Sequence, residues 1–520
     1  MDNLNKISFL DKISSSQMAS EDNNSEWLGI PKNLLMECAG YSFTQKIIEH
    51  HNLKPYQRVV IFSGLGNNGG DSFVIARHLS SMKIYVDLIL VGLPEKIRTE
   101  ESRLNWNIIQ NLNLAIQIRI IKDSSEFKEL QVELNKIKID LIIDGLLGTG
   151  IKGKLREPIS SAIDLINEFQ AKGKKIASID VPSGMNPDTG NILDKAVKAD
   201  FVVTFHKLKK GLNENTEYVK KVEVSPIGIP LEANLFVGRG NLLPTVKMHP
   251  EYSHKGENGK VLVIGGSKDY SGAPALASLA AIKIGVDLVR TFVPESISEI
   301  VKKYSPNLII NHGSGDYISV EHLAPLKELI EWADAILIGP GMGINNITQE
   351  VTLKILDILS KLNKPCVIDA DALKLIKNNL KLIQRSNIIL TPHEGEFKIM
   401  TGVSLPPMEN FIERLENVSR VAKRYGATFL VKGKYDLISN GIERKINQTG
   451  CSQMTVGGTG DVLAGLCAAF MSVNNSAFNS ACSAAFLNGL AGELCLEEVG
   501  DFFTSLDMIN KIPATLKKLL

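Results

Sequence analysis

Three stretches in the first half of the chain concentrate residues that can hold anions and move protons. SGLGNNGGDSFVIARHL at 63–79 runs from an apolar strand through a Gly/Asn turn into a helix expected to start near Asp71. Glycines let a backbone approach a ligand closely, and a helix start offers unpaired N–H groups to a phosphate. Asn67 and Asn68 can adopt left-handed turns or offer carbonyl oxygens. A plain strand-to-helix turn has the same composition, so this run decides nothing alone. IIDGLLGTGIKGKLREP at 142–158 ends a strand in Asp144, and SIDVPSGMNPDTG at 178–190 ends one in Asp180, ahead of Ser183. In a doubly wound sheet the carboxyl ends of neighbouring strands gather at one crevice. Asn68, Asp144 and Ser183 would there present hard oxygens suited to a hard cation. The competing reading is that both aspartates cap the helices that follow.

The second half carries a comparable run. NQTGCSQMTVGGTGDVLAGLCAAF at 447–470 leads through Gly457, Gly458, Thr459 and Gly460 into Asp461 and a small-residue helix. N–H groups at that helix start can hold a transferring phosphoryl group, and Asp461 stands where a base could take a hydroxyl proton. A helix cap without chemistry is the alternative. HKGENGKVLVIGGSKDYSGAPALAS at 254–278, GPGMG at 339–343, IDADAL at 368–373, TPHEGEF at 391–397 and VKGKYD at 431–436 are polar or Gly-rich and adjoin apolar runs. His393, between Pro392 and Glu394, is expected to face a ligand rather than the core.

These residues need two scaffolds. RVVIFSG, IYVDLILVG, IDLIIDG, KIASIDVPSG and DFVVTFH are short apolar runs between helical patterns, which predicts a parallel sheet buried on both faces. LGIPKNLLMECAGYSFTQKIIEH predicts an amphipathic helix ahead of them, and residues 1 to about 20 read as a loosely held start. The texture turns Pro/Gly-rich around 225–255, and a second alternating series follows: KVLVIGG, VDLVRTFV, DAILIGPG, PCVIDAD, NIILTPHEGEF and TFLVKG. The chain is expected to end on two small-residue helices, GDVLAGLCAAFMSV and SACSAAFLNGLAGELCL. With 520 residues, two α/β domains are expected, 1–238 and 239–520, with no internal duplication. A net charge of +1 gives no attraction for nucleic acid, no apolar run is long enough to span a bilayer, and the start lacks a secretory pattern. The expected address is the cytoplasm. Six scattered cysteines without zinc or redox spacing read as free thiols.

GNNGGD, DGLLGTG and DVPSG, in that order and preceded by LMECAG, resemble the NAD(P)H-hydrate epimerases over roughly residues 18–235. The resemblance implies a Rossmann-like three-layer αβα domain, often in homo-oligomers, that binds potassium. Asn67, Asn68, Gly69, Gly70 and Asp71, with Gly148, Thr149, Gly150, Ile151, Lys152, Gly153 and Lys154, would hold the hydrated dinucleotide. Asp180 would touch its reactive ring as acid or base, and Asn68, Asp144 and Ser183 would ligate potassium. Two departures are Ser72, where the family has glycine, and Cys38, where it has asparagine. Ser72 implies modest change, and Cys38 an altered contact with the sugar or amide end of the substrate.

HKG, IGGS, GAP, GPG, TPHEGE, KG and GTGD, again in family order, resemble the ADP/ATP-dependent NAD(P)H-hydrate dehydratases, which are ribokinase-like α/β proteins, over roughly 240–515. That resemblance implies that Ala273, Gly341 and His393 contact the hydrate, and that Lys432, Gly433, Lys434, Tyr435, Asp436 and Gly460 contact the adenine nucleotide with magnesium. Asp461 would face the substrate hydroxyl. Together the halves imply repair of hydrated NADH and NADPH: epimerisation of R and S forms, then phosphorylation and loss of phosphate from the S form, with ADP as the family's expected donor in fused chains. The rival is a vitamin or sugar kinase with a non-catalytic ligand- or RNA-binding first half. TPHEGEF fits the dehydratase branch, and the near-neutral charge disfavours RNA.

Overall fold

The computed structural model describes residues 12–150 and 153–520. These divide into two compact units, residues 12–230 and Leu231–Leu520. The strands of the first unit are β1 (Lys12–Ile13), β2 (Arg58–Ser63), β3 (Tyr85–Val91), β4 (Ile116–Ile121), β5 (Leu141–Gly145), β6 (Ile176–Ile179), β7 (Ala199–Phe205), β8 (Leu208–Lys209) and β9 (Val219–Ser225). Seven of them build a parallel sheet in the order β4-β3-β2-β5-β6-β7-β9. Apolar clusters lie on both sides of this sheet. Val59, Ile61 and Ile143 point to one, and Val60, Phe62 and Ile142 to the other. Burial on both faces explains why the central strands read as continuous apolar runs.

The order reverses between β2 and β5, so the crevice of the first unit opens beyond Ser63 and Gly145. The loops there pack backbone on backbone. A Cβ on Gly64 would lie 1.8 Å from the Leu146 carbonyl oxygen, which no side chain could survive. The helix after β2 begins at Asn67, with Gly66 as its cap, four residues before the expected start. GNNGGD is therefore the first turn of a helix, with its N–H groups directed out of the helix end.

The second unit contains β10 (Lys260–Ile264), β11 (Leu288–Pro294), β12 (Ile309–Gly313), β13 (Ala335–Ile338), β14 (Cys366–Ile368), β15 (Ile388–Leu390), β16 (Thr428–Val431), β17 (Asp436–Ser439) and β18 (Arg444–Asn447). Their order is β12-β11-β10-β13-β14-β15-β16-β17-β18, parallel up to β16 and antiparallel thereafter. The switch lies between β10 and β13. The small-residue helices Thr459–Ser472 and Ala477–Glu498 cover one face, packed with Val261, Leu337 and Val367. Alanine, glycine and cysteine along them permit close approach: a Cβ on Gly465 would lie 2.1 Å from the Ala277 carbonyl oxygen. Among the described residues, no helix is long and apolar enough to cross a membrane.

Several expectations need correction. Residues 12–20 are not a loose start. Ile13 is buried as part of β1, and Ser14 with Gln17 forms a capping box that opens the helix Ser15–Trp27. The chain does not end on two helices, because Ser505–Leu519 follows, opened by a capping box of Thr504 and Asp507. The division falls after Pro230 rather than at 238/239. The helix Leu231–Leu235 and the residues after it join the second unit: Leu235 and Val237 are buried in its cores, and the Val237 N–H donates to Ile446 at 2.9 Å.

A fragment of residues 231–520 should therefore be more stable than one of residues 239–520. Losing the buried Leu235 and Val237 should cost about 2–5 kcal/mol, the range for emptying core sites. Urea unfolding of both fragments checks this, and equal midpoints would put the boundary elsewhere.

Candidate active sites

In the first unit, the expected cation ligands meet. The Asp144 carboxylate is wholly buried. It accepts from Ser178 Oγ at 2.8 Å, the Ser183 N–H at 2.8 Å, Ser183 Oγ at 2.5 Å and the Leu146 N–H at 3.3 Å. The Leu147 carbonyl accepts from Asn68 Nδ2 at 2.9 Å, and the Leu147 N–H donates to Ser183 Oγ at 2.8 Å. Asn68 Nδ2 also donates to the Ile179 carbonyl at 3.0 Å. A Cβ on Gly148 would lie 2.7 Å from Asn68 Oδ1, so the Gly148 backbone closes over that oxygen. Burial pushes Asp144 above the usual carboxylate range, against its hydrogen bonds to Ser183, Ser178 and Leu146. Among the described residues, no cationic side chain offsets that burial. An all-oxygen set with one uncompensated carboxylate fits a monovalent cation. Neither Asp144 nor Asp180 caps the helix that follows: Asp144 clamps the loop at 146–147, and the next helix, Ile159–Ala171, starts from Pro158.

Asp180 lies at the end of β6 with φ +62°, a conformation costly for a residue with a side chain. Its Oδ1 accepts from Thr204 Oγ1 at 2.9 Å, the Phe205 N–H at 3.1 Å and Lys209 Nζ at 2.6 Å. Lys209 is itself fully buried. Its polar setting in HKLKKG resembles a solvated loop, so the sequence hid this partner. Asp71 lies on the helix start, 7% exposed. Burial, then the Asp180 and Asp22 carboxylates, hold it well above the usual range, against Lys209.

The remaining expected dinucleotide contacts divide. Asn67 Oδ1 accepts from Thr99 Oγ1 at 2.8 Å, and Gly69 and Gly70 are buried in the same first turn. A Cβ on Gly70 would strike Met36 of the LMECAG helix. Thr149 is half-buried, and Gly150, Gly153 and Lys154 are exposed. Ile151 and Lys152 lie outside the described residues. Ser72 is accommodated: its Oγ donates to the Asn68 carbonyl at 2.8 Å and lies against Gly145. Cys38 is exposed on its helix.

In the second unit, Asp461 occupies the first turn of Thr459–Ser472, whose cap, Gly458, has φ +93°. A left-handed cap favours glycine. Asp369, at the end of β14, is buried and accepts from Thr391 Oγ1 at 2.7 Å and Lys432 Nζ at 3.0 Å. A Cβ on Gly460 would lie 3.4 Å from that Nζ, so the Gly-rich turn and the lysine adjoin. Despite burial, the carboxylates of Asp369, Glu396 and Asp461 hold Lys432 above the usual lysine range. Burial and Asp369 push Asp461 up to about 7, with Lys432 opposing and Asp371 adding. Asp371 also accepts from the Gly343 N–H at 2.9 Å, tying IDADAL to GPGMG. Asp369 sits inside a motif the sequence marks, but only the fold shows that it faces Lys432.

Gly341 lies against Ala273, with a Cβ-to-Cβ approach of 3.4 Å if it carried one, so two expected hydrate contacts adjoin. His393 Nδ1 accepts from the N–H groups of Gly395 and Glu396, at 3.0 and 3.3 Å, and so caps Glu394–Thr401. The ring is 59% exposed, and the His393 backbone bridges to Lys432, whose N–H donates to the Pro392 carbonyl at 2.9 Å. Gly433 and Lys434 form an exposed turn between β16 and β17, next to the half-buried Tyr435. The Asp436 carboxylate turns inward to the Gly433 N–H, at 3.1 Å, and Asn447 Nδ2, at 3.0 Å. Burial pushes it up to about 6, against those bonds and Lys432.

The pattern described as NAD(P)H-hydrate dehydratase matches residues 261–514, and that of the YjeF-related protein N-terminus matches 32–211. A bifunctional NAD(P)H-hydrate repair enzyme from Methanothermobacter thermautotrophicus is 41% identical over 503 residues, covering 96% of this chain and 94% of that protein. Another from Methanocaldococcus jannaschii is 42% identical over 516 residues, covering 98% and 95%. This chain belongs to the bifunctional NAD(P)H-hydrate repair enzyme family. A solved ribokinase-like superfamily protein from Enterococcus faecalis covers 55% of the chain and 96% of its own, at 26% identity and a TM-score of 0.49. The family assignment supports the repair reading over the vitamin- or sugar-kinase one.

Asp461→Asn should lower nucleotide-dependent dehydration about 100- to 10,000-fold, the usual cost of losing a general base. Epimerisation by the same variant should stay at the wild-type rate. Separate assays of the two reactions check this, and near-normal dehydration would remove Asp461 from that role.

Proposed function

We propose that this chain repairs hydrated NADH and NADPH in two steps, residues 12–230 epimerising the R and S hydrates and Leu231–Leu520 dehydrating the S form with ADP. The observation that carries the reading is the cluster of buried Asp369 with half-buried Asp461 and Lys432 beside the Gly457–Gly460 turn. It combines a base near neutrality, a fixed cation and helix-start N–H groups. That set suits transfer of a phosphoryl group to a hydroxyl.

In the second unit, ionised Asp461 takes the proton of the hydroxyl on carbon six of the hydrated ring. Lys432, held by Asp369, supplies positive charge beside the phosphoryl group. The phosphate then leaves more easily than hydroxide would, carbon five of the ring gives up a proton, and the ring double bond returns. Ala273, Gly341 and His393 would hold the hydrate, and Gly460 with the turn after Lys432 would hold the nucleotide. Magnesium would accompany the phosphates, which need few protein ligands for it.

In the first unit, the turn from Asn67 to Asp71 and the loop from Gly148 would hold the dinucleotide. Asp180 would face the ring, its carboxylate fixed by Lys209 and Thr204. Potassium would be held by Asn68, Asp144 and Ser183, and it would supply positive charge near the phosphates.

The test is restoration of NADH from a mixed R and S hydrate. ADP should give complete recovery of both forms, and ATP less. Recovery with neither donor would overturn the reading. For the cation, wild-type epimerisation should be faster in potassium than in sodium or ion-free buffer. Asp144→Asn should lose that preference and at least about tenfold in rate, less than the loss of a direct acid or base. A wild type indifferent to the ion, with a variant of unchanged rate, would remove the potassium site.

A further inference from the structure

The helix Ser15–Trp27 precedes the residues matched by the N-terminal family pattern, yet its Glu21 reaches His206 at the end of the β7 strand. β1 pairs with β8 in the register Ile13 to Lys209, which delivers the helix beside the buried lysine. Glu21, 4% exposed, bonds His206 Nε2 at 2.7 Å and pairs with Lys207 Nζ at 3.3 Å. His206 ends β7 with φ +65°. Two strained positions, Asp180 and His206, therefore flank the place where this helix docks, as expected of a functional site.

The count of charges around Lys209 is unequal. An ammonium has three N–H donors. Lys209 commits them to Asp180 Oδ1 at 2.6 Å, the Phe205 carbonyl at 2.9 Å and Thr204 Oγ1 at 3.2 Å. Asp22 and Asp71 share its electrostatic neighbourhood but receive no hydrogen bond from it. Neither carboxyl has a hydrogen-bond or ion-pair partner among the described residues, although Asp71 is more than nine-tenths buried. Two unpartnered acids beside a saturated acid–base pair are placed to meet a ligand.

We propose that Asp22 is the acid of the epimerase step, giving its proton to the ring hydroxyl while Asp180 remains a carboxylate. This rests on the epimerase reading of the first unit. Asp22 protonates the hydroxyl oxygen, the bond from carbon six to oxygen breaks, and water leaves. The ring-nitrogen electron pair forms the carbon–nitrogen double bond, and the Asp22 and Asp180 carboxylates face the resulting cation. Water then adds from the opposite side, the nitrogen regains its pair, and the released proton returns to Asp22. Nothing is oxidised, and no co-reactant is consumed.

Asp22 suits this better than Asp71. Burial pushes Asp22 up to about 6, with Lys209 opposing, Asp180 adding, Lys32 opposing and Glu21 adding. An acid matched to working pH donates more readily than one held far above it. Asp71, which burial and the Asp180 and Asp22 carboxylates hold well above the usual range, suits a hydrogen bond to the substrate.

The test is the pH profile of epimerase kcat/KM with hydrated NADH, after subtracting the enzyme-free rate at each pH. Because the acid must be protonated, the wild-type rate should fall as pH rises through about 6. Asp22→Asn should lose that limb and at least tenfold in kcat, while melting and dehydrating like wild type. Asp22→Glu should restore much of the rate together with the limb, and it carries the test should Asp22→Asn fail to fold. An Asp22→Asn or Asp22→Glu profile that separates rate from the limb, such as unchanged kcat with the limb intact in Asp22→Asn, overturns the proposal. A wild type that does not epimerise at all overturns the epimerase reading and this inference with it.

Discussion

Two carboxylates at the ends of parallel strands, one in each unit, are each met by a buried or half-buried lysine. Asp180 meets Lys209 at 2.6 Å, and Asp369 meets Lys432 at 3.0 Å. Removing either lysine would leave an uncompensated charge inside the protein, which commonly costs about 3–5 kcal/mol. Each pair consumes the local cation. The other acids of each crevice must then be buried near like charge, which drives them towards protonation. Asp71 and Asp22 are raised in one unit, and Asp461 in the other. Groups able to exchange protons near neutrality thus follow from how the cation is spent.

The sheets determine which acids share a crevice. In the first unit Ser63 ends β2, Asp144 sits in β5, and Asp180 and His206 follow β6 and β7, and the carboxyl ends of these strands lie side by side. In the second, Asp369, Thr391 and Lys432 follow β14, β15 and β16, which pair in that order. The Gly-rich helix starts add N–H groups without formal charge. They can receive phosphate oxygens while the carboxyls handle protons, so binding and proton transfer are carried by different elements. The two units reach this division on sheets of seven and nine strands and without a shared sequence repeat.

Much of this was legible in the sequence because the signals are local. Central strands are apolar throughout, and glycine clusters mark the turns at their ends. β4, β9 and β12 escaped notice because they lie at sheet edges, where burial is partial and polar residues interrupt the apolar run. β17 and β18 escaped because they form an antiparallel hairpin after a parallel series. The helix Ser15–Trp27 lacks an apolar stripe and buries Glu21, Asn24 and Ser25 instead, so its polarity read as a loose end. Lys209 and Asp22 could not be found by motif. Their role depends on Asp180, which is distant along the chain and near only after β8 pairs with β1. Asp436 shows the converse: its motif points to the nucleotide, whereas its carboxylate holds a hairpin.

In both crevices, neighbouring charges set one another's protonation. The most direct measurement is the pH dependence of dehydration kcat/KM in wild type and in Asp369→Asn. In the wild type the rate should rise with pH through about 7, because Asp461 must be ionised to act as base. Asp369→Asn removes a neighbouring negative charge and releases Lys432 to favour ionised Asp461, so the rise should move to lower pH. A limb that stays in place in Asp369→Asn would contradict the account.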